Sequence, residues 1–224
     1  KCKNKFVNLA QSKPKAQCFL MPYIPYINRC HTFEKITLKL KKEYIFKSER
    51  LGFRNWTKND LTEFAKMNAD LEVMEHFPKP LTEKETAELI DRFENHYSKN
   101  GHTYFATEIL ENGEFIGFIG LAFQKYKTDF TPAVDIGWRL KKSAWKKGFA
   151  TEGAKKCLDF GFNKLNLDKI ISTCTDKNAK SENVMKKIGM EKMGEFNHPE
   201  LKEYPEYEKN ICYGINKNVW QHRV

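Results

Sequence analysis

The stretch Trp145-Lys146-Lys147-Gly148-Phe149-Ala150-Thr151-Glu152-Gly153-Ala154 puts two lysines and several small residues where a strand-like run gives way to a helix-like one. A helix N-terminus carries unpaired N–H groups and a partial positive charge, and both suit an anion. Gly148 and Ala150 leave the main chain open to close approach, Lys146 and Lys147 add charge at short range, and Thr151 can cap the helix or donate a hydroxyl. The chemistry offered is the grip of a pyrophosphate. An ordinary tight turn with a solvated lysine pair would read the same way locally, so the surroundings must decide. Neither G-x-x-x-x-G-K-[ST] nor G-x-G-x-x-G occurs, and the nucleotide folds built on those loops are not indicated. The six histidines include no H-E-x-x-H and the six cysteines no C-x-x-C, so no metal is expected. Cys157 and Cys174 lie in apolar runs and read as small buried hydrophobes, which fits a reduced, cytoplasmic setting.

The elements that must position this turn follow from periodicity and punctuation. Residues 46–56 alternate as a first strand. Thr57 and Asp60 offer a cap and a first-turn acid for a helix through DLTEFAKMNA, and Thr82 with Glu85 forms a capping box for a second helix ending at Gly101. TYFATEIL and EFIGFIGLAF flank Asn112-Gly113, a hairpin signal, and AVDIGWRL (133–140) is a third strand of that meander. The helix TEGAKKCLDFGFNKL, the strand KIISTCT (169–175), the helix SENVMKKIG and two closing strands, MEKMGEFNH and EKNICYGINK, complete the order. Strands and helices in that order predict an α+β fold with a mixed sheet rather than a regular βαβ repeat.

Charge narrows the partners. Residues 1–42 hold ten of the 39 Lys and Arg and one of the 29 Asp and Glu, so they carry nearly all of the net +10. The balanced remainder disfavours a broad nucleic-acid surface. The short apolar run near Pro22 and Pro25 has no small-x-small cleavage site and is too short to span a bilayer, so no membrane partner is expected. Residues 1–42 are therefore read as a basic extension, disordered or artefactual, and residues 43–224 as the functional domain.

AVDIGWRL followed by WKKGFATEGA resembles the GNAT superfamily of N-acetyltransferases, in particular its RimJ/RimL-like branch of ribosomal-protein N-terminal acetyltransferases. There a strand like E-I-G-Y-W-L runs into a turn like W-G-x-G-Y-A-T-E-A. A second element, N-x-x-S-x-x-V-x-x-K-x-G-F, is matched by Asn178, Ser181, Val184, Lys187, Gly189 and Met190, and S-E-R-L-x-x-R is matched by Ser48 to Arg54. The resemblance covers residues 46 to about 215. Lys146 stands where many members have glycine, and Asp135 where the family usually has Glu.

The resemblance implies a GNAT fold, with a mixed central sheet whose middle strands splay apart to admit acetyl-CoA, and transfer of its acetyl group directly to an amine. The pantetheine arm would pair along Ile136–Leu140, nearest Trp138, Arg139 and Leu140. The pyrophosphate would rest on Lys146, Lys147, Gly148, Phe149, Ala150 and Thr151, and Asn178 and Asn183 would fix cofactor or loop backbone. Asp135 is the implied base, against a strand-end acid that only orients water. Ser181 is implied to assist the leaving thiolate, against a helix cap. Glu200 lies in a loop like the family's acceptor-side loop, and His198 could share its task. The early helices, the loop Glu75-His76-Phe77-Pro78 and Trp56 would line the acceptor side. The acceptor itself, a protein N-terminus or a small amine, stays open, and so does a homodimer. A non-catalytic acyl-CoA-binding module on the same fold is the alternative.

Overall fold

A computed structural model describes residues 43–222; the expected extension, 1–42, lies outside them. Eight strands form one sheet in the order β1-β2-β3-β4-β5-β6-β8-β7. They are β1 (Phe46–Lys47), β2 (Leu51–Arg54), β3 (Tyr104–Ile109), β4 (Phe115–Gln124), β5 (Ala133–Leu140), β6 (Lys169–Thr175), β7 (Glu191–Asn197) and β8 (Lys209–Asn216). The longer helices are α1 (Leu61–Ala69), α2 (Glu83–Asn100), α3 (Phe149–Asn163) and α4 (Ala179–Lys187). Every strand pair is antiparallel except β5 with β6, which makes the sheet mixed as predicted. Among the described residues, no helix is long and apolar enough to cross a membrane.

The sheet buries both faces, and alternation along β4 shows how. Ile119 and Leu121 enter a core with Leu158 and Phe162 of α3 and Met185 of α4, whereas Phe118 enters a second core with Phe64 of α1 and Phe93 of α2. Side chains that alternate to opposite faces thus place α3 and α4 on one side and α1 and α2 on the other.

Local signals mostly settle element ends. Thr82 Oγ1 accepts from Glu85 N, the Glu85 carboxylate accepts from Thr82 N, and Gly101 closes α2 at a φ of +70°. The first strand departs from expectation. Residues 46–56 do not run straight: Ser48 N donates to Leu51 O and the chain reverses, so β1 and β2 form a tight hairpin. Arg54, at its end, is drawn inward by Asp60 at 2.7 Å and Glu108 at 2.5 Å, a buried ionic cluster that alternation alone does not reveal.

Candidate active site

The site begins where the sheet fails to zip. β5 pairs with β4 along its whole length, from Gln124↔Ala133 to Gly117↔Leu140. Its parallel ladder with β6 holds a single registered pair, Asp135↔Ile171, and one side-chain bond, Ser172 Oγ donating to Ile136 O at 2.9 Å. Beyond that point the two strands diverge, and a cavity of about 590 Å³ opens between Asp135–Leu140, Ser172–Thr175 and the start of α4. Main-chain groups of residues 137–140 on that edge have no strand partner, as an extended, amide-bearing chain inserted there would require.

The Trp145–Ala154 turn stands beside this opening. Lys146 and Gly148 both take left-handed backbone, at φ +59° and +83°. Gly148 is the N-cap of α3, and no side chain caps the helix there. Thr151, which the sequence allowed as a cap, sits inside the first turn instead. The first amides of α3 are thus left to an outside acceptor, with exposed Lys146 and Lys147 beside them. A side chain on Gly148 would be strained at that φ and would approach Arg50 Nη2.

Arg50 belongs to this turn although it is distant in sequence. Glu152 Oε1 accepts from Ser48 Oγ at 2.7 Å and from Arg50 N at 2.8 Å, while Oε2 takes Arg50 Nε at 2.7 Å. The Arg50 guanidinium also lies 4.6 Å from the Phe149 ring. Burial works against the Glu152 charge, but these donors hold its carboxyl below the usual range. The β1–β2 hairpin is in effect clamped to the mouth of α3. Two of the sequence motifs that carried the resemblance, the one from Ser48 and the one from Trp145, touch through this carboxylate.

Asp135 forms the other end of the site. Its Oδ1 accepts from Tyr104 Oη at 2.6 Å and from Gln124 Nε2 at 3.1 Å. Burial dominates its titration and pushes the carboxyl up to about 6, against the pull of those two donors and the Ala122 amide. Tyr104 is shifted the opposite way to a base, well above its ordinary value by burial, so it remains a donor. Gly137 explains how the ring reaches Asp135: a Cβ there would lie 2.9 Å from Tyr104 Cε1. Tyr104 and Gln124 were missed by sequence reasoning, since only the β3–β4–β5 register brings them to Asp135.

The remaining candidates divide by location. Trp138 and Leu140 point toward the α3 core, while Arg139 shares the Asp135 face and reaches α1, where its Nη1 donates to Asn68 Oδ1 at 2.9 Å. Asn178 is the N-cap of α4, its Oδ1 accepting from Ser181 N at 3.0 Å. Ser181 is therefore not the cap, and it lines the cavity. Asn183 is exposed and outside the cavity wall, as is Glu200, whose amide donates to His198 Nδ1. His198 does line the cavity, packed on Tyr126, and burial lowers its pKa. The loop Glu75–Pro78 lines the cavity too. Trp56 does not: it is buried against Phe64 and Phe93, its Nε1 donating to Tyr104 O. Among the described residues, no group of three His, Cys, Asp or Glu could hold a metal ion.

A gapped mixed sheet with an anion-ready helix mouth on one side and a buried carboxylate on the other defines an acyl-transferase architecture. Residues 50–191 match the acetyltransferase (GNAT) domain model. The chain is 32% identical over 149 residues to the uncharacterized N-acetyltransferase YnaD of Bacillus subtilis, covering 66% of this chain and 84% of that one. An acetyltransferase (GNAT family) from Bacillus anthracis superposes with a TM-score of 0.63 at 28% identity, over 77% of this chain and 98% of the other. A spermidine N-acetyltransferase from Vibrio cholerae, solved with CoA and spermine, shares the fold at a TM-score of 0.60 and 20% identity, over 77% and 98%. The protein belongs to the GNAT acetyltransferase family, and its co-substrate is acetyl-CoA.

Proposed function

We propose that the protein is an N-acetyltransferase of the RimJ/RimL-like branch, acting on a primary amine, either a protein N-terminus or a small amine, within a domain spanning residues 43–224. The observation that supports this most directly is the pairing of two features on one cavity, the uncapped mouth of α3 and the buried Asp135 carboxylate. The residues fit acetyl-CoA: the edge of Trp138–Leu140, which no strand pairs with and where Leu140 O accepts from Trp145 Nε1, would take the pantetheine amides, and Lys146, Lys147 and the amides from Gly148 to Thr151 would take the pyrophosphate. When bound, acetyl-CoA supplies an activated thioester.

The chain's own groups then handle protons and position. A protonated amine cannot attack a carbonyl, so a base must first remove its proton. Asp135 serves as that base, directly or through one water, because a carboxylate near 6 is ionised at neutral pH yet more basic than an exposed one. Tyr104 and Gln124 hold its Oδ1, and the residue lines the cavity. Ser181, on the cavity wall, donates toward the departing sulfur.

The test is acetyl-CoA consumption with a panel of peptide N-termini and small amines, read as free thiol and as the mass of one acetyl group gained. Acetyl transfer to at least one amine, lost in Asp135→Asn, is expected. Acetyl-CoA binding without turnover on any amine would mark a non-catalytic module instead.

A further inference from the structure

The acceptor half of the cavity contains a cation that acyl transfer does not use. Arg139 extends from β5 on the same face as Asp135, toward α1 and the 75–78 loop. Its guanidinium carbon lies 4.0 Å from the Phe77 ring and 5.5 Å from the Phe118 ring. Asn68 Oδ1 takes one N–H, and the enclosed Nε has no hydrogen-bond partner. Burial lowers its pKa to about 10, with no carboxylate opposing that shift.

The acids around it are engaged elsewhere. Glu72 pairs with Lys142, Glu75 with Lys180 at 3.1 Å, and Asp135 is held by Tyr104 and Gln124. The other basic groups on this side are at the surface or uncharged: Lys142 and Lys180 are those exposed partners, and burial lowers the pKa of His76 and His198. A desolvated guanidinium with an unmet N–H is unfavourable unless something answers it. Two aromatic faces and an amide oxygen answer it only in part.

We propose that Arg139 is a specificity-determining residue that receives a carboxylate of the acceptor, so that the amine acetylated here belongs to a small amino-carboxylate. This rests on the acceptor placement given above. A guanidinium fork matches a carboxylate in shape and in single charge, whereas a phosphate dianion would call for a second desolvated cation beside it, and Lys180 on this side is exposed and paired with Glu75. Asp135 and Arg139 stand on one strand face with Cα atoms roughly 13 Å apart by strand rise. One end can therefore take the amine while the other takes the acid. Phe77, which is 37% exposed and on a loop, is the neighbour able to give way as the carboxylate enters.

The experiment compares kcat/KM for ω-amino acids of increasing chain length with that for their amides and for the matching amines without the carboxylate. The wild-type protein should favour the carboxylates by on the order of 10- to 100-fold, mainly through KM. Arg139→Gln should collapse that ratio toward one. Asn68→Asp provides a second route that keeps the guanidinium: its own carboxylate would engage Arg139 and compete with the substrate's, collapsing the ratio as well, with melting temperature reporting that the fold survives. Amides or spermidine used as well as amino acids by the wild type, a peptide N-terminus preferred over all of them, or a ratio that survives both variants would overturn the proposal while leaving the acetyltransferase standing. Failure to acetylate any amine would overturn both.

Discussion

The two ends of the cavity are built by different means. The mouth of α3 is almost entirely a local construction: Gly148 in left-handed backbone, two flanking lysines and a run of helix-starting amides all come from one short segment. The Asp135 end is assembled from three strands, with Tyr104 from β3, Gln124 from β4 and the carboxylate from β5. The first needs little more than a turn. The second needs the register of a whole meander, and it places a carboxylate where water cannot stabilise it. The comparison teaches that anion recognition can be written into a peptide motif, whereas a tuned base needs burial, which only packing supplies.

Substitutions at the two ends should therefore fail differently. The largest effect is expected for Gly148→Glu, which puts a strained side chain and a negative charge at the phosphate position. Acetyl-CoA affinity measured by calorimetry should fall by about 100-fold or more, the sum of lost access and like-charge repulsion. Affinity equal to wild type would show that the turn does not hold the cofactor.

Asp135→Asn should spare acetyl-CoA binding and lower kcat by roughly 10²- to 10⁴-fold, the usual contribution of a general base. It also makes a stability prediction with a definite sign. Folding raises the Asp135 pKa from 3.8 to about 6, so the folded state holds this proton more tightly. Wild-type stability from this group is therefore greatest below the unfolded pKa and is lost as pH rises from about 4 through 6. The melting temperature of Asp135→Asn, relative to wild type, should climb over that interval.

Tyr104→Phe sharpens the same end. Removing a donor to the ionised carboxylate favours its neutral form, so the acidic limb of the kcat/KM profile should move to higher pH, with activity near pH 8 reduced by about tenfold at most. An unmoved limb would mean that the titrating group is not Asp135.

The smallest effect is expected for Glu152→Gln, which weakens the clamp to Ser48 and Arg50. Its partners are part-exposed, so stability should drop by about 1 kcal/mol in denaturant unfolding, with acetyl-CoA affinity reduced a few-fold as the mouth of α3 loosens.

Much of the architecture could be read before folding. The capping box of Thr82 and Glu85, the Asn112-Gly113 hairpin and the change of period at β3 depend on neighbours a few residues apart, and each appears where the residues place it. The straight first strand did not, because the Ser48–Leu51 reversal is stabilised by Glu152, which lies far along the chain. Asn183 and Glu200 were expected to serve the cofactor and the acceptor side, yet both residues are exposed here; helix rotation and loop path, which the sequence does not encode locally, decide that outcome.

What the sequence determined by itself was the set of elements and the anion-ready turn, since capping, turn chemistry and hydrophobic period act over one or two turns of chain. Only the tertiary structure decided that β5 and β6 part after a single paired residue, that Tyr104 crosses over Gly137 to reach Asp135, and that Arg139 is walled in without a carboxylate. These are matters of desolvation and register between distant segments, and the free energy of a buried charge exists only once its surroundings have closed around it.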